Sequence, residues 1–341
     1  MISRAISNRE VQIPIRDIII REFESKSHQI QRLYAIVSLL QSYGLMPYRS
    51  LITKSCGMDF ETVSGLLESG PLRGVLSFDK EEESILANHR IVADLIREFV
   101  FPTNDLIVNG LKKLISVVSE GNIPEMTVIH KLLIDSREFK RQLDFRQKED
   151  LFSLALSRMK TRPLYIHLAR TQLRLKKYGD CRISIEDAER TNHPVFPEPL
   201  HHVFDVKGRL ELSIAREMIA KKNEIVAWDH LEKAEGSFIQ GRVNPIITPH
   251  PYYGLAQTYF EMARLLDERT PKQNSFILSL NMLGELKRNS TEEFALDSAF
   301  ELEKRLFQDI ARMGFDERDA AMLFERNQNA NGYAFLAEKA A

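Results

Sequence analysis

The sequence predicts a mainly α-helical protein, with a small unit of helices and one β-hairpin followed by an α-solenoid of helical hairpins. Three observations predict it. Apolar residues recur at spacings of three and four along most of the chain, the period of one helix face. That period gives way once to alternation, between residues 75 and 87. From residue 169 onward small residues recur at fixed offsets, as they do where helices stack closely.

Residues 1–26 mix β-branched and charged residues around Pro14 without a sustained period, which predicts a linker or docking arm. A helix follows, because Ile30, Leu33, Tyr34, Val37 and Leu40 share one face and Gly44 is placed to end it. Pro47 suits the first turn of a second helix, carrying Leu51 and Ile52 to a stop at Gly57. Asp59 is placed to cap a third, with Val63, Leu66 and Leu67 inward, until Gly70 and Pro71. Val75, Leu76 and Phe78 then read as a strand, 79–83 as a charged turn, and 84–87 as the returning strand. A helix resumes from Asn88 through Ile91, Leu95 and Phe99. Over 27–100 this order resembles a winged helix-turn-helix unit.

In a DNA-reading unit of that type the third helix presents basic or amide side chains to base edges and phosphates. Here 59–69 holds no basic residue, and the turn offers Asp79, Glu81, Glu82 and Glu83 against Lys80. Such a surface repels phosphates, so a structural or protein-docking role is expected ahead of DNA binding. A winged-helix transcriptional regulator stays open as a second alternative.

Residues 101–160 read as a helical connector in which Ile107, Leu111, Leu114, Ile115 and Val118 share a face and Gly121 breaks it. From 161 to 290 the chain resembles the tetratricopeptide family. Tyr165, Leu168, Ala169, Tyr178, Cys181, Ile185 and Ala188 fall at the offsets where a repeat of about 34 residues sets its large and small packing residues. Ile214, Ala215, Ala227, Leu231 and Ala234 repeat that spacing, and a third, looser unit starts at Tyr252, Leu255, Ala256 and Tyr259. The chain departs from the pattern in a long first helix at 201–222 and a linker at 241–251 containing Pro245, Pro249 and Pro251. A hairpin stack without repeat ancestry therefore remains an alternative. Residues 291–341 read as a long amphipathic helix through Leu296, Ala299, Phe300, Leu306, Ile310 and Met313, closed by Gly314, and a frayed tail.

An acidic winged-helix-like unit joined to helical repeats is similar to the later part of STAND-type signalling NTPases, which include bacterial antiphage sensors. The residues carrying this resemblance are 34–40 before Gly44, the helix from Pro47, the strand at 74–78, and 85–90 entering the next helix. It implies that the repeats sense a protein partner and that the winged unit contacts an ATPase or effector domain, with His89 and Arg90 beside the nucleotide domain. No GxxxxGK[ST] loop occurs, so the nucleotide-binding core is not expected in this chain.

The chemistry-bearing residues are sparse. With 47 basic and 48 acidic residues the formal net charge is -1, which gives no global attraction to nucleic acid or anionic membranes. Cys56 and Cys181 stand far apart without a metal-binding spacing and read as small buried thiols. His201 and His202 are adjacent rather than one turn apart, and His130 and His167 fall inside helical patterns. No GxSxG, HExxH or GxGxxG motif is present, so neither catalysis nor a cofactor is expected. A basic stretch, including Lys140, Arg141, Arg170 and Arg174, is the predicted partner-binding surface, beside a solvated-face reading in which nearby acids balance it. Tyr252 and Tyr253 join that prediction, and Tyr165, Tyr259 and Phe260 are amphipathic enough to line a groove or to serve repeat packing. The expected role is a cytoplasmic, non-catalytic module holding a protein partner in the concave face of the repeats, with no membrane span; a stand-alone scaffold or adaptor is the first alternative.

Overall fold

The computed structural model describes residues 15–242 and 248–312, and among them the protein is mainly helical with one two-stranded sheet. The chain divides into two compact units. The first comprises residues 15–175 and 191–197, and the second 176–190 and the described residues from 198 onward.

In the first unit, α1 (Ile15–Glu24) occupies part of the stretch expected to be a linker or docking arm. Ile19 and Phe23, one turn apart, are buried. The Phe23 ring lies 6.0 Å from Phe99 and 5.9 Å from Tyr34, and Gln31 Nε2 donates to the carbonyls of Phe23, Glu24 and Lys26. The sequence hid this because only two residues of α1 are buried, too few to establish a period. Gly314, Met313 and the tail expected beyond them lie outside the described residues.

Helices α2 (His28–Ser42), α3 (Arg49–Cys56) and α4 (Phe60–Glu68) precede β1 (Leu76–Asp79) and β2 (Ser84–Ala87), which pair antiparallel with Leu76 opposite Ala87, before α5 (Arg90–Val100). The expected terminators operate: Gly57 sits at φ 68 as the left-handed cap of α3, and Asp59 accepts from Thr62 N at 2.7 Å to open α4. Pro47 is a correction. It does not start α3, because its carbonyl accepts from Ile85 N at 3.0 Å while Arg49 N donates to Glu83 at 2.8 Å, so 47–49 runs beside β2.

Helices α6 (Asn104–Ser116), α7 (Ile123–His130) with a π-turn at Lys131–Asp135, α8 (Arg137–Gln142), α9 (Phe145–Leu156) and α10 (Arg162–Arg174) complete this unit. The residues expected to form a connector share one hydrophobic core with α2 to α5, running from Leu33 and Leu51 through Leu111 to Leu151 and Leu164. Glu125 on α7 is fully buried, receiving Lys54 Nζ at 2.7 Å, Ser119 N at 3.0 Å and a hydrogen bond from Ser50. Those bonds satisfy a carboxylate that burial would otherwise make costly.

The second unit contains α11 (Tyr178–Arg190), α12 (Leu200–Ala220), α13 (Glu224–Gly241), α14 (His250–Leu265), α15 (Arg269–Asn289) and α16 (Glu293–Arg312). The division thus falls inside the stretch where the sequence places its best repeat, with α10 in one unit and α11 in the other. Each helix from α11 onward packs on the next, and α14 also meets α12 and α16. The small residues picked out by spacing, Ala215, Ala227 and Ala234, are fully buried. Backbone closeness goes further at two glycines. A Cβ on Gly208 of α12 would stand 2.7 Å from the ring of Phe238 on α13, and one on Gly254 of α14 only 2.3 Å from it. Phe238 is fully buried, so its ring fills the space between two backbones and cannot retreat.

Gly254→Ala should therefore destabilise the second unit by about 1–3 kcal/mol, although alanine favours helices, because overpacking outweighs propensity. Chemical denaturation of the variant checks this. Adding Phe238→Leu should recover part of the loss, and a Gly254→Ala protein as stable as wild type would show that the ring has room to move.

Candidate functional site

Within the second unit, α12, α14 and α16 together line an open cleft of about 510 Å³. Its walls follow from helical periodicity. On α14, Tyr253, Gln257, Phe260, Glu261 and Arg264 recur at three- and four-residue steps, as do Glu301, Leu302, Arg305, Gln308, Asp309 and Arg312 on α16, while α12 contributes Arg216. The volume lies in the range of sites that hold small ligands or a few side chains of a partner.

Charge in the cleft is organised around Glu261. Its carboxylate is nearly buried, receives Arg216 Nε at 2.9 Å and Arg264 at 3.1 Å, and thereby carries two cations for one anion. The Arg264 guanidinium also lies 5.8 Å from the centre of the Phe260 ring. Arg312 pairs with Asp309 at 3.3 Å. Arg305 and Glu301 stand one turn apart, exposed, and neither side chain makes an ion pair or hydrogen bond among the described residues. The lining therefore holds four arginines against three carboxylates, one net positive charge, with two guanidiniums on Glu261 and the side chains of Arg305 and Glu301 each unpaired among the described residues.

Of the predicted partner-binding residues, the structure brings Tyr253 to this cleft. Its neighbour Tyr252 points elsewhere on α14, is 6% exposed and joins the core, with Arg242 placed 5.9 Å from its ring centre. Lys140 and Arg141 are exposed on α8, and Arg170 and Arg174 lie on α10, so all four belong to the first unit. His89 and Arg90 are exposed at the start of α5. Phe260 lines the cleft with the small part of its ring that the core leaves uncovered, and Tyr259 is in the same core and donates to Glu235 at 2.8 Å. Sequence reasoning missed Arg216, Gln257, Glu261, Arg264 and Arg305. Their signal was present as polar positions in register on a single face of α14 and of α16, but it becomes distinctive only when those helices are known to be neighbours.

The histidines find packing partners. His130 stacks on Phe196 with ring centres 4.5 Å apart, and burial holds it below the ordinary imidazole range. His201 is likewise lowered by burial, and its ring lies 4.2 Å from that of His202. His230 Nδ1 meets the buried Glu211 at 2.6 Å, with Arg182 on the other oxygen at 2.9 Å. Among the described residues no group of three or more His, Cys, Asp or Glu side chains is arranged to hold a metal ion, and no helix is long and apolar enough to cross a membrane. Helix α4 exposes Glu61 and Glu68, and Asp59, held low by its bonds to Thr62, adds a further anion.

Both cysteines are buried, and burial pushes the thiols up to about 11 for Cys56 and about 12 for Cys181. Neither is a thiolate near neutral pH, so a disulfide reagent at pH 8 should label the native protein slowly and both sites promptly in urea. Prompt labelling of the native chain would mean that one of the two sites opens. At the cleft, removing both Arg216 and Arg264 as alanine should cost about 3 kcal/mol by stranding the buried carboxylate. Glu261→Gln should cost less than about 1 kcal/mol, since its half-exposed partners rehydrate. Urea midpoints of the two variants decide this; equal losses would show that Glu261 is as well hydrated as its partners.

No protein-family model matches the sequence, and comparison with curated proteins and with solved structures finds no match for the chain.

Proposed function

We propose that this chain is a non-catalytic protein-recognition module whose second unit holds a segment of a partner protein in the cleft between α12, α14 and α16. The observation that carries this reading is that three helices contribute one continuous lining of aromatic, apolar and charged side chains, with Tyr253, Phe260 and Leu302 among its arginines. Such a surface suits a polypeptide, whose side chains alternate in character. Stacked hairpins commonly present a surface of this type to a partner segment.

The resemblance of 27–100 to a winged-helix unit gives this module a wider role, that of a sensor in a STAND-type signalling or antiphage system. In that role the partner is detected in the second unit, and the exposed His89 and Arg90 of the first unit face an ATPase or effector domain. The acidic exposed face of α4 supports protein docking ahead of DNA reading for the winged-helix-like part, since it would repel phosphates.

The test uses the tagged full chain and its Gln257→Trp variant, which fills the cleft without changing charge. Both are used to capture proteins from host lysate, with and without phage challenge, with mass spectrometric identification. Proteins retained by the wild type and lost with Gln257→Trp are the expected result. Identical capture by both chains removes the cleft from the function, and salt-dependent retention of DNA instead would move the reading to a regulator.

A further inference from the structure

The chemistry of the cleft narrows what it holds, an inference that rests on the recognition reading above. We infer that its occupant is an acidic peptide segment, with a carboxylate engaging Arg305 and apolar side chains set against Phe260 and Leu302.

Three features of the lining lead to this. The first is the charge balance. Glu261 neutralises only one of the two guanidiniums bonded to it, and the side chains of Arg305 and Glu301 are both unpaired among the described residues, so an entering anion meets a lining with one net positive charge and an available guanidinium at Arg305. The second is preorganisation. Arg216 and Arg264 are tied to one buried carboxylate, and Arg264 also rests against the Phe260 ring, so the positive wall is fixed before a ligand arrives. A fork-shaped guanidinium such as Arg305 can then accept a carboxylate through two parallel hydrogen bonds.

The third feature separates a peptide from a nucleic acid. Glu301 and Asp309 stand one turn on either side of Arg305 along α16. A phosphate backbone carries a charge at every nucleotide and would meet both carboxylates. A peptide places its charges at chosen positions and can lay apolar or neutral side chains beside them. Between the charges, half-buried Tyr253 and the uncovered edges of Phe260 and Leu302 offer those side chains a place out of water.

The experiment uses the full chain and three sets of fluorescein-labelled 12-residue peptides that share the same apolar residues and carry Glu, Lys or Ser at the remaining positions. A 12-nucleotide single strand of DNA serves as a fourth probe. Binding is followed by fluorescence anisotropy. The Glu set should bind, and Arg305→Glu should weaken it at least about tenfold. Arg305→Lys should restore part of that loss, whereas Lys113→Glu, a charge reversal at an exposed position of α6 in the first unit, should change it less than about twofold. Circular dichroism confirms that each variant is folded. If the Lys or Ser set binds instead and Gln257→Trp abolishes that binding, the acidic occupant is wrong while the recognition reading stands. Preferential binding of the DNA strand overturns the peptide assignment. If no probe binds the wild type, the cleft is not a peptide site and both readings fall.

Discussion

The ring of Phe238 lies against α12 and α14 at Gly208 and Gly254, two positions that carry no side chain. A Cβ at Gly208 or Gly254 would overlap it, so α12, α13 and α14 can take their observed separation only with glycine at both positions. That separation governs the cleft. Glu261 follows Gly254 by two turns, about 10 Å along α14, and it is bonded there to Arg216 of α12. Pushing α14 away from the Phe238 ring would move the carboxylate that holds the arginines. A packing constraint in the core thus positions charge at the surface, through one helix and with no loop between them.

Buried charge recurs through the second unit. Glu211 is held by Arg182 and His230, Glu261 by Arg216 and Arg264, and Glu303 by Lys287 at 2.7 Å. Such pairs add little net stability, because dehydrating the charges offsets their attraction. Their effect here is on register. Stacked helices with alternating small and large apolar residues can slide by a turn and still bury similar area. A carboxylate that must meet an arginine of the neighbouring helix cannot, because a slip would leave it buried and unpaired. Glu125 does the same in the first unit, tying α7 to α3 through Lys54 and Ser50.

The sequence made visible whatever depends on residues close in the chain. The helices with a full apolar face, the hairpin with its charged turn, the Asp59 cap and the Gly57 stop all rest on local period or local backbone chemistry. Alanines spaced by 12 and 7 residues marked the close approach of α12 and α13 because that spacing repeats. What stayed hidden depends on tertiary neighbours. Pro47 satisfies the rule for a helix start, yet its carbonyl is engaged by Ile85, 38 residues away in sequence. Tyr252 and Tyr253 are equivalent as adjacent aromatic residues, and only the direction of α14 sends one to the core and the other to the cleft. The basic stretch at 137–177 stands out by density along the chain, with Lys140 and Arg141 on α8 and Arg170 and Arg174 on α10. The arginines that do converge come from residues 216, 264, 305 and 312, nearly 100 positions apart, and each is ordinary in its own surroundings.

The same arrangement limits how tightly the cleft can hold a ligand. Most of its charge is already engaged: Arg216 and Arg264 keep their bonds to Glu261, and Arg312 keeps Asp309. An entering carboxylate gains chiefly the contact to Arg305, and a hydrogen bond to a charged group contributes about 1.5–3 kcal/mol. The exposed edge of the site subjects that contact to salt screening. In the proposed complex, affinity would come from the apolar side chains that accompany the carboxylate into the cleft, while Arg305 would set which segments are accepted. Selectivity by charge and affinity by apolar contact would reside in different residues of one surface, and a substitution at Phe260 would affect them differently from one at Arg305.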